Sequence, residues 1–433
     1  MKRYQPILTK YLDEPGSATI DFYLVHEGYR AARKAILEMD AGEIIEEVKA
    51  SGLQGRGGAG FPAGVKWDFI PKNSKKPTYL INNADESEPG TFKDRLLMNH
   101  NPHQMLEGMI IASKAIGCHL AFIYIRGEFV KEARLLETAI AECRANNILG
   151  KGIFGSDYNL EIVVHRGAGA YICGEETGLI ESLEGKRGWP RIKPPFPAIE
   201  GYLKSPTVVN NVETLCNLPH ILNEGAAWFR KIGASKESPG PKLYCLSGGV
   251  QKPGVYEAPL GTLLETLIYD FAGGIADGRE LKAVIPGGSS APLLKADEIE
   301  GLKMDFPSVK AAGSMLGSAG IIVLDDTVDM VQACYNLARF YAHESCGQCT
   351  PCREGTTWLT KILARFTAGQ GRLEDLDLIL EVTDNIGGLI DFSQGSFGKT
   401  ICPFGEAVAW PVRAFVEKFR AEFEAYLPRE ALA

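Results

Sequence analysis

Three cysteines within seven positions, Cys346, Cys349 and Cys352 in "ESCGQCTPCREG", constrain this chain more than any other feature. Thiols this close together form a ligand set that still needs a fourth member. Zinc closes structural sites with four Cys or His ligands, usually as two separated pairs. A 4Fe-4S cube takes C-x2-C-x2-C plus a remote cysteine followed by proline. "KTICPFGEA" supplies that residue as Cys402 before Pro403. The spacing therefore favours one 4Fe-4S cluster on Cys346, Cys349, Cys352 and Cys402 over zinc or unliganded thiols.

Helical patterning around the cysteines agrees. "TVDMVQACYNLARFYAHE" ends at the first cysteine, and "REGTTWLTKILARFTAG" leaves from the third. "RLEDLDLILEVTDNIGG" forms a third helix, and "PFGEAVAWPVRAFVEKFRAEFEAYL" a fourth that begins just past Cys402. Short connections favour antiparallel neighbours. The second helix then runs away from the cluster, the third returns, and Cys402 lands where the last ligand is required.

The remaining sequence limits what such a cluster serves. A chain of 433 residues has room for two or three domains. A net charge of −8 argues against a nucleic-acid surface, which needs clustered Lys and Arg. No apolar h-region follows the amino terminus before Asp13, so no secretory signal is expected. "MLEGMIIASKAIGCHLAFIYIRG" is the most apolar stretch, but Glu107, Lys114 and His119 interrupt it. It reads as a buried helix and a strand instead of a membrane span. Cys118, Cys143, Cys173, Cys216, Cys245 and Cys334 are scattered and read as small core residues of a reducing compartment.

Three blocks are expected. Residues 1–240 mix helices with β-rich runs such as "TYLINNAD" and "LEIVVHRG", an α/β pattern. "SKESPGPK" reads as a linker. Residues 241–327 carry strand-like runs and a helix, "TLLETLIYDFAGG", with Thr262 as its cap and Gly273 at its end, which together suggest a small β-grasp domain. Residues 328–433 form the helical bundle.

A cluster that moves single electrons needs a donor, and glycine-rich loops suggest one. Gly55-x-Gly57-x-x-Gly60 matches the dinucleotide fingerprint in letters, but "DAGEIIEEVKASGL" before it reads as a helix capped by Asp40 and ended by Gly52. The Rossmann context therefore fails, leaving a tight turn or a loop whose amides approach a ligand. "LEIVVHRGAGAYICGEETGLIESLEG" reads as strand, Gly167-x-Gly169 turn and helix, an arrangement that suits an anion at a helix start. The adjoining Glu175 and Glu176 suit ribose hydroxyls, or are simply first-turn acids favoured by the helix dipole. "LINNADESEPGTFKDR" offers Asn83, Asp85, Glu86 and Glu88, and "SPTVVNNVETL" offers Asn210 and Asn211. Their bland alternatives are an acidic turn and a helix cap.

Together, "GRGGAGFPAGVKW", "NADESEPGTFKDR", "GAGAYICGEETGLIESLEG", "PTVVNNVETL" and "ESCGQCTPCREG" resemble the flavin subunit family of bacterial respiratory complex I, NADH:quinone oxidoreductase. The resemblance implies FMN and NADH in one cavity of a non-standard Rossmann-like α/β domain. It also implies a central ubiquitin-like β-grasp domain of the soluble-ligand-binding type, and one 4Fe-4S cluster in a four-helix bundle. It places Gly55, Gly57, Lys66, Asn83, Asp85, Gly174, Glu175, Asn210 and Asn211 on the flavin side, and Phe61, Phe69 and Phe196 near the NADH adenine. Glu86, Glu88 and Glu176 become acids of the shared cavity. Arg56, Gly58, Gly60, Lys193 and Thr214 complete the expected cofactor-binding set, and Lys66, Glu86 and Glu176 are the expected catalytic residues. Ala63 and Gly178 depart from the family's Thr and Ala, and "GGLIDFSQGSFGKT" before Cys402 is longer than usual for it.

The implied activity is conversion of a hydride into single electrons: NADH to flavin, flavin to cluster, then onward to quinone. The implied partners are a small 2Fe-2S subunit and a large multi-cluster subunit, on the cytoplasmic face of the membrane with no span of its own. The alternatives are a diaphorase subunit of an NAD-linked hydrogenase or formate dehydrogenase, and, more distantly, a zinc-stapled nucleotide-binding scaffold. The absence of a second C-x2-C-x2-C run favours the complex I reading over the diaphorases.

Overall fold

The computed structural model describes residues 4–387, 390–391, 396–397 and 399–428. Half of the long stretch before Cys402 therefore lies outside the described residues. Helix α1 (Ala41–Ser51) starts at the capping box formed by Asp40 and Glu43 and stops at Gly52, whose φ of +71° is left-handed. The glycine loop follows a helix, as expected, and leads into α2 (Ala63–Asp68).

Next come β1 (Thr78–Ala84), α3 (Lys93–His100), α4 (Pro102–Ile116), β2 (Cys118–Ile125), α5 (Val130–Ala145) and β3 (Glu161–Arg166). They are followed by α6 (Glu176–Leu183), β4 (Thr207–Asn211) and α7 (Val212–Cys216). The four strands pair in parallel in the order β3-β2-β1-β4. Helix α4 is buried on nearly every face, which accounts for its apolar run. Its interrupting Glu107 is satisfied by the Tyr23 hydroxyl and the amides of Tyr29 and Ala32. Among the described residues no helix is long and apolar enough to cross a membrane.

The second sheet contains β5 (Pro241–Gly248), β6 (Gly254–Pro259), β7 (Leu281–Ile285), β8 (Leu294–Lys295) and β9 (Gly320–Asp325). Its order is β6-β5-β9-β7-β8, with β5 and β9 parallel and the other pairs antiparallel, a β-grasp arrangement. Two expectations need correction here. Thr262 caps no helix: its hydroxyl donates to the Pro259 carbonyl, Leu263 bridges to Lys303, and the helical segment Thr266–Phe271 is a π-helix. Nor is "SKESPGPK" a solvated linker. Ser238 is fully buried on Asp305, and Gly240 lies so close to Phe229 that an added Cβ would come within 2.0 Å of its ring.

The carboxy-terminal bundle consists of α8 (Met330–Glu344), α9 (Thr350–Thr367), α10 (Leu373–Ile386), α11 (Phe404–Lys418) and α12 (Arg420–Ala425). The fourth helix expected from sequence is broken at Phe419. The break turns α12 back onto the start of α8, where Glu422 accepts from the Met330 amide and pairs with Lys282 of β7. Three apolar clusters result: one around α4, one inside the β-grasp sheet, and one in the bundle that also takes in Ile172, Cys173 and Leu179 beside α6.

Candidate active site

The chain runs from β1 out to β2 and β3, then returns to place β4 on the other side of β1. That reversal opens a crevice at the carboxyl ends of β1 and β4, where open parallel sheets bind ligands. Asn83 and Asp85 stand at the end of β1, and Asn210 and Asn211 at the end of β4. The glycine loop closes on the same place. Gly57 lies against Asn211, where an added Cβ would come within 2.8 Å of the Asn211 Cβ, while the space beside Gly58 is open. Gly60 instead packs on Phe306 of the β-grasp domain.

The crevice has a polar floor. Asn83 donates to the Gly174 carbonyl at 2.9 Å and accepts from the Asp85 amide at 3.1 Å. Asp85 accepts from Ser87 through one oxygen, while its Oδ1 is buried with no hydrogen-bond partner among the described residues. Burial pushes the Asp85 carboxyl up to about 7. A buried orphan acceptor costs about 1–3 kcal/mol unless a ligand or water satisfies it. This one fits a polyhydroxyl chain such as the ribityl of a flavin. Asn210 accepts from the Trp67 indole, and Asn211 donates to Asp94 while capping α7.

Four charges line one wall. Lys66 donates to Glu176 at 2.8 Å and to the Val209 carbonyl at 3.1 Å. Lys193 bonds Glu175 at 2.8 Å and Glu176 at 3.1 Å. Burial alone would raise the Glu176 pKa, but these two lysines pull it down to about 2. Glu175 also accepts from the amides of Thr177 and Gly178 at the start of α6. This corrects the expected anion site: a 3-10 turn, Tyr171–Gly174, separates Gly169 from α6, and the chain's own Glu175 takes the free amides. Phe61, Phe69 and Phe196 are 50%, 53% and 45% exposed, as stacking surfaces require, and the Phe61 and Phe69 ring centroids are 6.0 Å apart.

Other expected residues already hold partners within the chain. Glu86 caps α3, accepting from the amides of Asp94 and Arg95, and is buried. Glu88 accepts from the Tyr171 hydroxyl and the Ser290 amide. Arg56 turns inward: it is fully buried, donates to the Pro239 carbonyl, and leaves Nε and one terminal nitrogen without partners among the described residues. Thr214, also fully buried, accepts from the Arg56 amide and so supports the loop from behind.

Beneath the loop lies an ionic network that the sequence does not announce. Lys93 pairs with Asp94 and Glu213 at 2.8 Å each, and Lys242 of β5 pairs with Glu213 at 2.6 Å. Burial alone would raise Glu213, but Lys242, Lys93 and Arg56 hold it below the ordinary carboxylate range. "TFKDR" and "NVETL" carry Lys93 and Glu213 in plain view, but lysine is so rarely buried that nothing marks them.

The cysteines lie beside the Tyr171–Glu175 segment, whose Tyr171 amide donates to Glu344, two residues before Cys346. Cys349 stands at the start of α9 and Cys402 just before α11. The Ser345 hydroxyl lies 3.3 Å from the Cys352 sulfur. Burial pushes the Cys402 thiol up to about 12, and the charges of Glu175, Cys346 and Cys349 act in the same direction. Among the described residues no three ligating groups converge as tightly as one ion demands; zinc needs each sulfur at about 2.3 Å. The C-x2-C-x2-C spacing with a remote Cys-Pro is the pattern of a cube. The other six cysteines are buried, as expected.

Family models match along the chain: the Nuo51 FMN-binding domain over residues 48–220, an SLBB domain over 243–293, and the NADH-ubiquinone oxidoreductase-F iron-sulfur binding region over 332–426. An F subunit of NADH-quinone oxidoreductase from Rhizobium meliloti is 53% identical over 98% of each chain. The corresponding F subunit of Streptomyces coelicolor is 50% identical over 98% of this chain and 92% of its own. A solved structure of an NAD+-reducing NiFe-hydrogenase in the air-oxidized state superposes with a TM-score of 0.82 at 38% identity, over 98% of this chain and 67% of that one. With its FMN-binding and iron–sulfur binding regions in one polypeptide, the chain belongs to the family of NADH-quinone oxidoreductase F subunits.

Proposed function

We infer that this chain oxidises NADH and hands single electrons to a 4Fe-4S cluster on the way to quinone. The orphaned Asp85 Oδ1 at the strand-order reversal carries the reading, because a flavin chain is what would satisfy it. When bound, FMN accepts a hydride and the cluster takes electrons singly, and the protein supplies orientation and electrostatics. Asn83, Asp85, Asn210 and Asn211 hold the flavin chain, and the amides of Gly55–Gly58 approach its ring or phosphate. Lys66 offsets negative charge on the flavin. Phe61, Phe69 and Phe196 stack on the adenine end of NADH, and Glu176 accepts from ribose hydroxyls. Cys346, Cys349, Cys352 and Cys402 hold the cluster. Residues 1–240, 241–327 and 328–433 are the corresponding domains, supported by the two separate sheets and the helical bundle that follows them.

A single cluster cannot reach a membrane quinone alone. The chain therefore works beside a small 2Fe-2S subunit and a large multi-cluster subunit, peripheral to the inner face of the membrane. Purified protein carrying FMN and iron should bleach with NADH and reduce ferricyanide, yet leave quinone unreduced until partners are added. A visible spectrum indifferent to NADH would sink the reading, and inhibitor-sensitive quinone reduction by the chain alone would sink the partner assignment.

Specificity gives a second test. NADPH carries a 2′-phosphate, and an ionised carboxylate a few ångströms away repels it by roughly 1–4 kcal/mol. Glu176 is held ionised by its lysines. Glu176→Lys should therefore raise kcat/KM for NADPH and lower it for NADH, by about five-fold to several hundred-fold in the ratio, with FMN content unchanged. Glu175→Lys should instead lower FMN content, since Glu175 holds the start of α6. Ferricyanide turnover with both nucleotides at low ionic strength reads the difference. An unchanged NADH preference in Glu176→Lys would shift the role to Glu88.

A further inference from the structure

The segment after α6 runs from the cysteines to the charged wall of the cleft and is fastened along its length. At one end Lys193 bonds Glu175 and Glu176. Midway, Arg191 reaches Glu181, Glu184 and the Gly201 carbonyl, and its amide donates to the Thr177 hydroxyl. Gly188 sits so close to Cys173 that an added Cβ would come within 2.6 Å of its sulfur. At the other end the Trp189 indole N–H donates to the Cys346 carbonyl at 3.1 Å. The Arg187 guanidinium lies 5.6 Å from the centroid of the same ring.

Trp189 is 40% exposed, so burial alone does not fix its orientation. An indole has one donor, and here it is used on the backbone of the first cysteine. The polarised N–H thus meets the first cysteine's backbone, and the guanidinium over the same ring adds a positive charge close to that donor.

We propose that Trp189, backed by Arg187, is a positioning residue for the iron–sulfur cluster that favours its reduced form. The proposal rests on the four cysteines being cluster ligands. With both groups bound, the cluster would take one electron supplied by the flavin, and Trp189 would neither form nor break a bond in that transfer. The added electron makes the cluster more negative, and nearby hydrogen bonds and charges set how readily it is accepted. The indole bond also holds the 346–347 peptide, next to the first cysteine, in one orientation.

The test uses the chain loaded with FMN and cluster, titrated with reductant and followed by electron paramagnetic resonance of the reduced cluster. Trp189→Phe keeps the ring and loses the donor. At a fixed applied potential its ratio of reduced to oxidised cluster should fall about two- to tenfold, the span one hydrogen bond supplies, with iron and FMN contents unchanged. Arg187→Gln should move the ratio the same way, and its effect should shrink with added salt because the charge is exposed. Wild-type ratios in both variants would overturn the proposal. If Trp189→Phe fails to hold the cluster, Arg187→Gln decides alone: a salt-sensitive fall supports the proposal and a wild-type ratio overturns it. A wild-type chain without iron would instead overturn the cluster reading itself.

Discussion

Glu213→Ala should destabilise the protein by about 3–5 kcal/mol, the usual penalty for removing one partner of a buried ion pair. Glu213 is fully buried and answers two lysines that are themselves fully buried, Lys93 and Lys242. It also accepts from the Leu243 amide at 2.9 Å. Alanine would leave Lys242 without a carboxylate, Lys93 with Asp94 alone, and the Leu243 amide unpaired in the interior. For a domain of this size each kcal/mol moves the melting temperature by about 2–4 °C, so a fall of roughly 6–20 °C is expected. FMN retention should fall as well, because Glu213 lies in α7 beside Asn211, which touches Gly57. Glu213→Gln keeps an acceptor for Leu243 and should lose less. Thermal unfolding at fixed FMN concentration measures both, and a shift below about 2 °C for the alanine variant would mean the lysines are neutralised some other way.

Cys402→Ser should remove the cluster and leave the flavin. Iron and acid-labile sulfide should drop from about four per chain, the content of a cube, while FMN remains bound. The expectation rests on placement: Cys402 stands just before α11 of the bundle, whereas Asn83, Asp85, Asn210 and Asn211 stand at the ends of β1 and β4, whose other face packs on the core around α4. NADH should still bleach the flavin, but no reduced-cluster signal should appear. Unchanged iron would mean that the fourth ligand lies elsewhere.

Local chemistry is legible in the sequence and long-range register is not. Asp40, Glu43 and Gly52 bound α1 because a capping box and a left-handed glycine act over a few residues. Cys402 can be placed because helix lengths and short connections determine which end of a bundle a residue occupies. The departures share one cause. Threonine caps helices, so Thr262 reads as a cap, but tertiary pairing of Leu263 with Lys303 claims the segment first. Arg56 stands in a glycine loop and so points to the cleft, yet its backbone amide fastens to Thr214 and the side chain swings inward. Lys93, Glu213 and Lys242 come together only when α3, α7 and β5 are packed, which no window of sequence reveals. Nothing local links Trp189 to a cysteine 157 positions away.

Glu88 has a wider consequence than its place in an acidic turn suggests. Its carboxylate accepts from Tyr171 of the flavin-side segment and from Ser289 and Ser290 of the β-grasp domain, and Ser289 in turn bonds Tyr341 of α8. One side chain thus ties three domains at the level where the cleft faces the cysteines. Electron tunnelling slows steeply with every added ångström, so an enzyme of this kind is sensitive to the spacing between donor and acceptor. The Glu88 bonds join the loop after β1, the β-grasp domain and, through Ser289, the helix that leads to the cysteines, so the cleft and the cysteine loop are held in register by side chains far apart in sequence.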